Sequence, residues 1–124
     1  MEIVFNSGEK ILIFEHLYTI ENYTTFCIKV KSGEFSGASN FCLSKDQIIS
    51  AVKKLSEMHN KLVGYCILKD NDSDSYITFE MHKFGYINVF GQIGGSHEDH
   101  FMKFKYMIDQ TILVNLIRIL QMVQ

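Results

Sequence analysis

Apolar and polar residues alternate along most of this chain with the two-residue period of a half-buried strand. Ile11 to Tyr18 opens as a largely apolar strand, and in the next one Phe26, Ile28 and Val30 set an apolar face against Cys27, Lys29 and Lys31. Ser32-Gly33 supplies a tight turn, and Phe35 to Leu43 reads as a third strand, with Gly37 at a bulge or point of close packing. The period then changes. Ser44 and Gln47 have the Ser-x-x-Gln spacing of a capping box, after which Ile48, Ile49, Val52 and Leu55 share one stripe and Lys53, Lys54 and Glu57 take the opposite face. The spacing predicts an amphipathic helix laid on an apolar surface.

After Asn60 the strand period returns in Leu62 to Leu68, Tyr76 to His82, Tyr86 to Ile93 and Phe101 to Met107. Asp70 to Ser75 and Lys83 to Gly85 read as hairpin loops, and Gly94 to Asp99 as a longer one. In the last strand Met102, Phe104 and Tyr106 alternate with Lys103 and Lys105, so one face is buried and one is wet. A second helix follows, capped by Asp109, with Ile112, Leu113, Leu116, Ile117 and Leu120 as its stripe.

A shift of about 65 positions carries Ser44 onto Asp109 and the stripe Ile48, Ile49, Val52, Leu55 onto Leu113, Val114, Ile117, Leu120. This fits a β-β-β-α plan used twice, and equally the general likeness of any two capped amphipathic helices. Either way the patterns predict an α+β fold in which an antiparallel sheet carries two amphipathic helices packed on one face. With 124 residues the chain is expected to form a single domain over 1–124.

Composition narrows the function classes. The chain is 47% hydrophobic and 21% charged, in the globular range, and contains no proline. A formal charge of -2 and a pI near 6.2, with basic residues scattered, disfavour direct nucleic-acid binding. No run reaches the length of about 20 apolar residues that a membrane helix needs. Met1 to Phe5 carries an acid at Glu2 and no apolar core behind a basic start, so the chain is expected to stay in the cytoplasm. Cys27, Cys42 and Cys66 lack metal-ligand spacing and are expected to be reduced, buried thiols.

No catalytic constellation emerges. Ser96-His97-Glu98-Asp99-His100 offers two imidazoles and two carboxylates, but its histidines are three apart in a loop rather than four apart on a helix, so a solvated turn is the expectation. His82 sits near a strand end beside Lys83, His16 and His59 stand without a nearby nucleophile, and spacing does not establish a Cys-His pair of Cys42 or Cys66 with any of them. Gly91-Gln92-Ile93-Gly94-Gly95 leads into another strand and so lacks the helix N-terminus that a phosphate loop requires. Asp70-Asn71-Asp72-Ser73-Asp74 opens like a calcium loop, yet the sixth position has no glycine and the twelfth is Met81. No cofactor or metal is therefore assigned. The acidic residues Asp70, Asp72, Asp74, Glu98 and Asp99 are the candidate rim for a basic protein partner. The alternatives are a small metal-dependent enzyme using His97 and His100, and a generic protein-interaction module, monomeric or homodimeric through a free sheet edge.

Val30-Lys31-Ser32-Gly33-Glu34-Phe35-Ser36-Gly37, followed by Leu43 and the capped helix to Leu55, resembles the WapI-type immunity proteins. Gly85-Tyr86-Ile87-Asn88-Val89, Phe104-Lys105-Tyr106, and Ile108-Asp109-Gln110-Thr111 leading to Leu113 and Leu116 resemble that family's closing segment. The resemblance runs from about Tyr23 to Gln121 and departs at Asn22-Tyr23-Thr24-Thr25, where members often carry an acidic segment with a tryptophan. It implies a bacterial cytoplasmic protein, not an enzyme, that neutralises by stoichiometric binding the C-terminal toxic domain of a cognate secreted polymorphic toxin, commonly a nuclease.

Overall fold

The computed structural model describes residues 2–124, and Met1, the first residue of the segment weighed as a signal peptide, lies outside them. The first half runs through β1 (Glu2–Asn6), β2 (Lys10–Ile20), β3 (Tyr23–Ser32), β4 (Phe35–Ser44) and the helix α1 (Lys45–Lys61). The second runs through β5 (Tyr65–Lys69), β6 (Tyr76–Met81), β7 (Tyr86–Ile93), β8 (Met102–Asp109) and the helix α2 (Thr111–Gln121). Each half is an antiparallel four-stranded meander closed by a helix, so the α+β class holds while the expected single sheet is two, in the orders β1-β2-β3-β4 and β5-β6-β7-β8.

Three boundaries differ from the pattern for local reasons. In β1 a register shift between Ile3 and Phe5 breaks the strand period, which hid the strand from a reading based on alternation. Leu62, expected to begin a strand, adopts a left-handed conformation (φ 57°) and caps α1, its N–H donating to Met58 O at 2.8 Å. The strand accordingly starts at Tyr65, beyond Gly64 (φ 106°).

The capping box forms as its spacing requires. Gln47 N donates to Ser44 Oγ at 3.1 Å, and Ser44 N donates to Gln47 Oε1 at 2.7 Å. Asp109 holds the start of α2 by a shorter route: its Oδ1 accepts from Thr111 N at 2.9 Å and from the Thr111 hydroxyl, with Gln110 between them as the helix boundary. The Thr111 bonds also hold the Asp109 carboxyl below the usual carboxylate range.

The buried stripe of α1 is Ile48, Ala51, Leu55 and Met58, and that of α2 is Ile112, Leu113, Leu116, Ile119 and Leu120. Ile49, expected in the stripe, is 47% exposed, and its counterpart Val114 is 51% exposed. Val52 and Ile117 pack at the core's margin. The shift that relates the helices thus pairs Ile48, Ala51 and Leu55 with the buried Leu113, Leu116 and Leu120 and the exposed Ile49 with Val114, whereas the buried Ile119 falls on the exposed Lys54.

The core draws on both sheets and both helices: Phe14, Phe26 and Phe41 from one sheet and Ile77, Phe79 and Val89 from the other belong to one buried cluster. Two sets of contacts between the halves come in exchanged pairs. Helix α1 packs on β5 and α2 on β1, while β4 touches β7 and β8 touches β3. A Cβ at Gly37 would lie 3.0 Å from Met102 Sδ, so these matched positions of β4 and β8 face each other. No helix among the described residues is long and apolar enough to cross a membrane.

Candidate functional site

Where β4 ends, the chain has to satisfy backbone groups that β3 does not reach. Cys42 N donates to Asp70 Oδ1 at 2.8 Å, and Cys42 O accepts from Asn71 N at 3.0 Å. The same carboxylate receives Asp72 N at 3.1 Å and the Ser73 hydroxyl at 2.6 Å. Asp70 is 7% exposed, with its oxygens occupied inside the chain. Its expected place on a partner-facing rim is therefore corrected: Asp70 builds the loop that caps β4. Gln47 joins the same junction, donating to Lys69 O at 3.1 Å and accepting from Asn71 Nδ2 at 2.7 Å.

The loop after β5 is tied in turn to the loop after β7. Asp74 Oδ1 accepts from Ser96 N at 2.8 Å and from Gln92 Nε2 at 3.2 Å, while Oδ2 accepts from the Ser96 hydroxyl. Donation by the Ser96 hydroxyl and then its amide stabilises the ionised form, holding the Asp74 carboxyl below the usual range. Gln92 is 5% exposed and also donates to Gly94 O at 2.9 Å. Gly94 (φ 90°) allows close approach here, because a Cβ would stand 2.8 Å from His100 O.

Together the two loops form one wall of a polar cleft of about 430 Å³, whose other wall is β4. Ala38, Ser39 and Asn40 line it on the strand side, and Asp72, Ser73 and Glu98 on the loop side. Asp72 and Glu98, 26 positions apart in sequence, thus share one cavity. Asp74 fastens the wall to Ser96, and Asp99 is exposed on the same loop outside the lining. Of the five acids singled out, the cleft is lined by Asp70 as a buried support and by Asp72 and Glu98 with exposed side chains.

His100 lines an adjoining groove of about 250 Å³ with Gly37, Glu98, Phe101 and Met102, and His97 is exposed. Among the described residues no group of three or more His, Cys, Asp or Glu side chains is arranged to hold a metal ion. All three cysteines are free thiols. Cys66 is fully buried, and burial pushes its thiol up to about 11. Cys42 is partly exposed, its thiol raised first by burial and then by Asp72.

Residue patterns did not reveal the part played by Gln92, which clamps both loops from a buried position, or by Ser96, which binds Asp74 across 22 positions. Nor did they distinguish Phe84: the Lys83–Gly85 loop is a 3-10 turn that holds this ring 94% exposed with φ 63°, a left-handed conformation seldom adopted by a bulky residue. Compared with protein-family models, curated proteins and solved structures, the chain matches none.

Proposed function

We propose that this chain is an immunity-type inhibitor that binds the toxic C-terminal domain of a cognate polymorphic toxin in the producing cell's cytoplasm and blocks it by occupancy. The observation that carries the reading is the polar cleft in which Asp72 and Glu98 come from separate loops to face β4. A wall of this sign suits a basic surface such as a nuclease presents to its substrate, and charge of this kind acts chiefly on the rate and specificity of encounter. The resemblance of Val30–Gly37 and of Gly85–Val89 to WapI-type immunity proteins supports the same partner class.

In this reading the chain contributes shape and charge rather than chemistry. Phe101, half exposed in the adjoining groove beside Glu98, is available to anchor contacts next to the charged centre. Co-expression tests the proposal: the toxic domain encoded beside this chain's gene should arrest growth, and this chain should restore it and co-purify with that domain at one to one. Arrest that persists with the chain present and folded overturns the reading.

A further inference from the structure

The two sheets have four edges, and three are protected. Helix α2 packs on β1, where Asn115 Nδ2 donates to Val4 O at 2.9 Å, and α1 packs on β5. On β8, Lys10 Nζ donates to Met107 O at 3.0 Å, so Met107 directs its carbonyl away from β7. Residues two and four positions earlier direct their backbone groups the same way, and these are Lys105 and Lys103, both exposed. Lysines placed on an outer strand discourage the pairing of another strand.

The matching stretch of β4 lacks this protection. Cys42, which corresponds to Met107, sends its N–H and C=O outward to Asp70 and Asn71. By the same alternation, unbroken in the β3–β4 register, Asn40 and Ala38 also point their N–H and C=O away from β3. Among the described residues no hydrogen bond of the chain receives them. Where β8 carries Lys103 and Lys105, β4 carries Ala38 and Asn40, small or neutral and exposed. This bare edge is the strand wall of the acidic cleft.

We infer that β4 between Ser36 and Asn40 is a strand-addition site, at which an extended Lys- or Arg-bearing segment of the toxin partner pairs with Ala38 and Asn40. Main-chain hydrogen bonds supply the register, and Asp72 and Glu98 select basic side chains on the incoming strand. The charge of the cleft names the occupant, since its lining contains no Lys or Arg. A second copy of this chain would bring its own acidic loops to the same edge.

This inference rests on the immunity reading, and the experiment separates the two. The probe is the toxic domain encoded beside this chain's gene, with affinity measured by calorimetry and oligomeric state by light scattering. Transferring the lysines of β8 to β4, as Ala38→Lys with Asn40→Lys, should leave the fold intact and weaken binding at least about tenfold. Ala38→Pro, which deletes one outward N–H while leaving the β3 ladder paired, should weaken it about tenfold as well. Lys103→Ala with Lys105→Asn on β8 should leave affinity unchanged. Tight binding by both folded β4 variants overturns the strand-addition site and leaves the immunity reading standing, as does a β4-paired homodimer of the free chain. If no neighbouring domain binds the wild-type chain, the immunity reading falls and this inference with it.

Discussion

In the first half, Ser44 and Gln47 close a capping box on a 17-residue helix, and β2, β3 and β4 are 10 or 11 residues long joined by tight turns. In the second, Asp109 and Thr111 start an 11-residue helix, the strands have 5 to 8 residues, and two polar loops of substantial length stand between them. Beneath these differences the helices share three core positions: Ile48 with Leu113, Ala51 with Leu116 and Leu55 with Leu120 are buried. The halves therefore agree where side chains fill the core and diverge where the chain meets water. The acidic loops belong to the second half and the open strand edge to the first, so the candidate site exists only because the halves are joined.

The largest expected effect tests the agreement. Leu55→Ala and Leu120→Ala each remove a fully buried side chain and should each cost about 2–5 kcal/mol in chemical denaturation. Ile49→Ala and Val114→Ala, both on exposed positions, should change stability by about 0.5 kcal/mol or less. A Leu120→Ala cost as small as that of Val114→Ala would break the equivalence of the two helices.

Next in size is the contrast within the acidic loop. Asp70→Asn disturbs a buried carboxylate with three donors and should cost about 1–3 kcal/mol, whereas Asp72→Asn should cost about 0.5 kcal/mol or less and instead slow association with the proposed partner. Equal stability losses from the two variants would mean that Asp72, too, is a structural residue.

A smaller effect of opposite sign is expected at Tyr106, whose hydroxyl is buried without a hydrogen-bond partner and whose counterpart in the first half is Phe41. Burial also pushes its phenol well above the ordinary value. Tyr106→Phe makes the halves alike at this position and should raise stability by about 1 kcal/mol in the same assay. A loss of stability would show that the hydroxyl is held by a partner.

The mildest test is by pH. The Asp74 carboxyl titrates below its unfolded value of about 3.9, so its support of the loop clasp is complete above that value and lost as pH falls through the lower, folded one. The Ser96 amide resonance should move with that acid titration, and Asp74→Asn should abolish the movement. A Ser96 amide that titrates at the ordinary carboxylate value would show that the two loops are not clasped.

Local signals were legible wherever the cause is local. Ser44 and Gln47 lie within one helical turn, and the alternation of Met102, Phe104 and Tyr106 with Lys103 and Lys105 fixes the faces of β8 without reference to anything distant. What escaped has causes far along the chain. Asp70 stands in a run of polar residues that reads as solvated, and it is buried because Cys42, 28 positions earlier, needs an acceptor for its N–H. Ile49 is as apolar as Ile48, and its exposure is settled by which side of α1 meets the core. The division into two sheets, and with it the meeting of β4 with the loop acids, follows from packing between the halves that no short motif encodes.

The most direct measurement of the central claim is a hydrogen-exchange footprint of the chain, free and bound to the toxic domain proposed as its partner. Binding should slow exchange most at residues 36–40, 70–75 and 94–99, the strand and the two loops that enclose the cleft. Protection centred instead on the β2–β3 hairpin end at Tyr18, Ile20 and Tyr23, or on the outer face of β8, with the cleft unchanged, would contradict it.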